Sequence, residues 1–134
     1  MPSDVRAWRP VTAGRFGLVN IDREFPLSSD PPQLTWLRFH VEASQSTSAR
    51  VSLGWLGHVW VFVNGRQAAE GENFYYPESE RRAPDGRLSL ENGSFNVPLK
   101  ASQNEVVLAL YESAQDSAHT ATFTAGAWRC VSTT

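Results

Sequence analysis

Val59-Trp60-Val61-Phe62-Val63, followed directly by Asn64-Gly65-Arg66, is the stretch whose reading decides the fold. An unbroken run of β-branched and aromatic residues suits a pleated backbone. Because alternate side chains face opposite ways, such a run predicts a central strand covered on both faces. Asn and Gly reach positive φ more readily than other residues, so Asn64-Gly65 predicts a tight turn and a hairpin returning through Arg66-Gln67-Ala68-Ala69. On this reading Trp60 and Phe62, together with Trp55, belong to the core.

The flanking segments repeat the strand signal. Residues 34–43 alternate, with Leu37, Phe39 and Val41 on one face and Trp36, Arg38, His40 and Glu42 on the other. Trp36 is the odd apolar member of that polar face. Val51, Leu53 and Trp55 share one side of residues 50–55, and Gly54 and Gly57 predict a bulge, bend or tight turn just before the central strand. Further upstream, residues 15–21 form a short strand candidate, and residues 1–14 form an irregular lead-in that Trp8 can pin to the body.

On the C-terminal side, the span from Gly71 to Gly93 has little periodicity and many turn residues, among them Pro77, Pro84, Asp85-Gly86 and Asn92-Gly93. Loops of that length are more often functional than short ones. Phe95 to Leu99 alternates again, with Pro98 favouring an edge or a strand end, and Ala101 to Asn104 reads as a turn. Glu105 to Tyr111 is the second strong strand, with Val106, Leu108 and Leu110 on one face and Val107, Ala109 and Tyr111 on the other. Residues 120–125 close the series. About eight strand candidates separated by turn signals, with no amphipathic helix, predict an all-β sandwich or barrel.

Composition sets the outer limits. At 134 residues, 41% hydrophobic and 19% charged, the chain is expected to form a single domain, residues 1–134, with a substantial core. Its net charge of −2 gives no electrostatic reason to expect nucleic acid or an anionic membrane as partner. Cys130 is the only cysteine, which excludes an internal disulfide and Cys-rich zinc sites. No apolar run reaches bilayer length, and the first residues lack the apolar core of a signal peptide, so the expectation is a soluble, unexported chain.

Several stretches taken together carry a family likeness: Val59 to Arg66, then Gly71, the aromatic and Arg-bearing loop, Val97-Pro98-Leu99-Lys100, and Asn104 to Leu110. This pattern resembles the galactose-binding-like jelly-roll domains, including carbohydrate-binding modules and the sugar-binding domains of β-galactosidase-type glycoside hydrolases. The resemblance covers roughly residues 34–112 and implies a jelly-roll β-sandwich. It implies a non-catalytic, lectin-like or accessory role, with a carbohydrate or a neighbouring domain of a parent enzyme as partner. Structural calcium is common in such modules, and Asp22, Glu24, Asp30, Glu112 and Asp116 are the oxygen donors available for it. One departure is the Ala-, Ser- and Asp-rich segment 113–120, with Trp128 arriving late where the family often has an earlier Gly- and Trp-rich stretch.

Sugar recognition needs flat apolar platforms for the C–H faces of a ring, with polar groups beside them for the hydroxyls. Trp36, Tyr75 and Tyr76 are the candidate platforms, and Arg81, Arg82 and Arg87 the candidate polar partners. The competing expectation is a structural or protein-interaction domain without a small ligand, whose tyrosines pin the loop and whose arginines pair with Glu78 and Glu80. Glycoside hydrolysis needs two suitably placed carboxylates. Glu70, Glu72, Glu78, Glu80 and Asp85 read instead as a solvated loop cluster with no apolar pocket to raise a pKa. His40, His58 and His119 follow no metal-ligand spacing, and no Gly-x-Ser-x-Gly elbow marks a nucleophile.

Overall fold

The structure is a computed structural model that describes residues 8–12, 19, 34–111 and 129–131. Its strands are β1 (Leu34–Ala43), β2 (Thr47–Leu53), β3 (Gly57–Val63), β4 (Arg66–Asn73), β5 (Gly93–Leu99), β6 (Ser102–Tyr111) and β7 (Arg129–Val131). They form two antiparallel sheets, ordered β1-β6-β3-β4 and β5-β2-β7. The only helical element among the described residues is a single 3₁₀ turn, Glu78–Glu80. Six of the about eight expected strands are described, and the seventh strand, β7, was not among those expected. The other two lie outside the described residues, apart from Val19 of residues 15–21, which forms a bridge.

The Asn64-Gly65 turn forms as its residue types require, with φ of 50° at Asn64 and 79° at Gly65. Positive φ at both central positions matches the twist of the flanking strands and joins β3 to β4 as a hairpin. β4 continues to Asn73, so Glu70 and Glu72, expected in a loop, stand on a strand. β6 likewise begins at Ser102, inside the expected turn. The break between β2 and β3 falls at Gly54 and Gly57. A side chain at Gly54 would come within 2.5 Å of the Ser89 carbonyl oxygen, and Gly57 has φ of 75°.

Between the sheets lies one apolar layer. Leu37, Val59, Val61, Val63, Val106, Leu108 and Leu110 face it from the four-stranded sheet, and Ala49, Val51, Leu53, Val97 and Leu99 from the three-stranded one. Removing each larger side chain of this kind from water contributes about 1.5–3 kcal/mol before chain entropy is set against it. Trp55 closes the layer at one end, its ring lying against Gly71, Gly93 and Phe95.

Two buried asparagines hold opposite ends of the sandwich. The Asn104 amide donates to the carbonyls of Lys100 and Ser102, while its oxygen accepts from Lys100 N and from Asn64 Nδ2. Asn64 returns the bond by accepting from Glu105 N. At the other end, Asn73 Nδ2 donates to the carbonyls of Trp55 and Arg87, and its oxygen accepts from Gly86 N at 2.7 Å. Partnering of this kind offsets the cost of burying a polar side chain.

Candidate functional site

Register places a second set of side chains on the face of the four-stranded sheet that points away from the core. Directly opposed residues of paired strands share a face. One row across the sheet therefore reads Trp36, Ala109, Trp60, Glu70 and the next reads Arg38, Val107, Phe62, Gln67. Val107 and Ala109 are only 1% and 2% exposed, yet they stand outside the inter-sheet cluster. Their cover is aromatic. Trp36 on β1 and Phe62 on β3 reach towards each other across β6, with ring centroids 6.3 Å apart. Small residues on the central strand leave room for rings from both sides to lean over it.

Trp36, Trp60 and Phe62 are all half-buried, which corrects the expectation that the central strand is sealed on both faces and that Trp60 and Phe62 are core. The reason is that β3 has the inter-sheet layer on one side only. Trp55, by contrast, is core as expected, at 2% exposed. Trp8 makes a contact with the body of the fold, lying under the Arg38 guanidinium at 4.5 Å, and Arg38 approaches Glu105 at 3.9 Å.

Towards the β4 edge the same face becomes polar. His58 stacks on Trp60 with ring centroids 3.9 Å apart, and its Nδ1 lies 3.5 Å from Glu72 Oε1. Glu72 Oε2 is 3.9 Å from Arg82 Nη2. Arg82 in turn lies over the Tyr76 ring at 4.4 Å and donates a hydrogen bond to the Tyr76 hydroxyl. That bond, more than the nearby charges, holds Arg82 above the usual arginine range, so it is a fixed cation. Two stacked pairs, Trp60 with His58 and Tyr76 with Arg82, thus flank one carboxylate. Glu72 is 52% exposed in its side chain and remains accessible between them.

The long loop, residues 74–92, reaches this face because its stems are fixed. Asn73 ties Gly86 and Arg87 to the end of β4, and Gly86, with φ of 77°, lies so close to Tyr75 that a side chain there would sit 2.8 Å from the Tyr75 backbone nitrogen. Asn92 closes the other stem, donating to the Arg87 carbonyl and accepting from Ser89 N.

Of the six residues predicted to bind a ligand, the structure brings Tyr76 and Arg82 into contact and places Trp36 on the same sheet face. Tyr75 is displayed to solvent at 67% exposed on its fixed stem. Arg81 is exposed, and Arg87 approaches Asp85 at 4.0 Å rather than joining the Glu72 group. Sequence reasoning missed His58, Trp60, Phe62 and Glu72 as members of this surface. The available signal was the strand alternation itself, which puts His58, Trp60 and Phe62 on one side of β3.

The oxygen donors considered for calcium all lie outside the described residues. Among the described residues, no three His, Cys, Asp or Glu side chains come together to hold a metal ion, and no helix is long and apolar enough to cross a membrane. Comparison with family models, with curated proteins and with solved structures finds no match, so the fold and this surface carry the functional reading.

Proposed function

We propose that this chain is a non-catalytic carbohydrate-binding module built on a galactose-binding-like jelly-roll sandwich. The observation that carries the reading is the half-buried aromatic layer of Trp36, Trp60 and Phe62, continued by the Tyr76–Arg82 pair around an accessible carboxylate. Flat rings offer apolar contact to the C–H faces of a sugar, and Glu72 and Arg82 offer an acceptor and donors for its hydroxyls. Strand connectivity supports the jelly-roll form, since the chain changes sheet at β1 to β2, β2 to β3, β4 to β5 and β5 to β6. Tyr75 adds an exposed platform at the loop, where Arg81 and Arg87 supply further donors.

A glycan-array screen of the purified chain, run with chelator and with added calcium, tests the reading. The expected result is a hit that free sugar competes away and that weakens at least tenfold when Trp60 and Tyr76 are both replaced by Ala. A blank array with a folded protein by circular dichroism would overturn it in favour of a surface that packs against another domain.

A further inference from the structure

Resting on the carbohydrate reading, the surface also carries information about the charge of its ligand. The charged groups nearest the two stacked pairs lie close to one another, with Glu80 also near enough to act on Arg82. Glu72 lies between His58 Nδ1 at 3.5 Å and Arg82 Nη2 at 3.9 Å, and Arg82 is further committed to Tyr76. Glu70, in the Trp60 row, accepts from Gln67 Nε2 at 3.0 Å. At the far side of the sheet Arg38 is shared by Trp8 and Glu105. An acidic sugar placed on Trp60 or Tyr76 would therefore meet the Glu72 carboxylate and would have to displace it to reach Arg82.

We infer that Glu72 is the specificity-determining residue of this surface: its carboxylate, standing beside Arg82 and His58, favours neutral sugar rings over uronates. A neutral ring needs no counter-charge and can use the lone pairs that Glu72 keeps free. Relative to an uncharged residue at the same place, the Glu72 carboxylate disfavours a uronate by on the order of 1 kcal/mol for charges about 4 Å apart in water, or about fivefold in affinity. Removing the Glu72 charge while keeping its shape leaves Arg82 to a ligand carboxylate with no competing one beside it.

The test is a titration of the full chain with matched tetramers, each neutral sugar paired with its uronate: glucose with glucuronate, galactose with galacturonate, mannose with mannuronate. Wild type is expected to prefer the neutral member. Glu72→Gln is expected to raise the uronate-to-neutral affinity ratio about fivefold, and adding Arg82→Gln to that variant to remove the gain. Should Glu72→Gln fail to fold, Arg82→Gln alone is expected to lower the same ratio. A wild-type preference for the uronate, or a ratio unmoved in a Glu72→Gln variant that keeps its melting midpoint, would overturn the inference while leaving the carbohydrate reading standing. Failure of every tetramer to bind would overturn both.

Discussion

The two faces of β3 are built largely from apolar residues and are covered differently. Val59, Val61 and Val63 face the inter-sheet layer and are almost wholly buried, whereas Trp60 and Phe62 face away and are only half-covered. On the inner side, aliphatic side chains pack against those of a second sheet. On the outer side, broad rings roof the small residues Val107 and Ala109 and keep part of their surface open. Side-chain shape, more than hydrophobicity, separates the stabilising face from the face available for contact.

The comparison can be broken most forcefully from the inside. Leu108→Ala, at 1% exposed on the inner face of β6, is expected to cost about 2–5 kcal/mol in urea unfolding. A loss below 1 kcal/mol would mean that the inter-sheet layer is not the main source of stability. Next in size is Asn104→Ala, which strands the Lys100 amide and the Asn64 side chain and is expected to cost about 2–3 kcal/mol. Trp60→Ala is expected to cost about 1–2 kcal/mol, less than Leu108→Ala although it removes a larger side chain, because Trp60 is half-buried. If Trp60→Ala proved the more damaging of the two, the outer face would have to be counted as core. Tyr75→Ala is expected to change the unfolding midpoint least, within about 0.5 kcal/mol, as the residue is exposed and its position is set by backbone contacts.

Legibility in the sequence followed the same division. Alternation exposed β1, the apolar run Val106 to Leu110 exposed β6, and Asn64-Gly65 located the β3–β4 turn, because each depends on local residue types alone. The polar, glycine-containing stretch Arg66 to Asn73 was less legible. It is an edge strand, and edge strands are blunted by charge and bulges, so its second half looked like loop. Trp60 and Phe62 were misplaced because a hydrophobic run gives no sign of which layer covers it. Trp36 was visible as the anomaly on a polar face. Tyr76 and Arg82 could be named but not paired, since their meeting depends on Asn73 and Asn92 closing the loop stems through bonds that no periodicity announces.

The central claim, that the outer face of the four-stranded sheet is the sugar-binding surface, is tested most directly by nuclear magnetic resonance. Backbone and indole N–H signals of the full chain would be followed while the best neutral oligosaccharide from the array is added. Saturable shifts at the Trp36 and Trp60 indoles and at the amides of His58, Glu72 and Tyr76 are the expected result. Shifts confined to the opposite sheet, around Arg50, Ser52 and Asn96, with these signals unmoved, would contradict it.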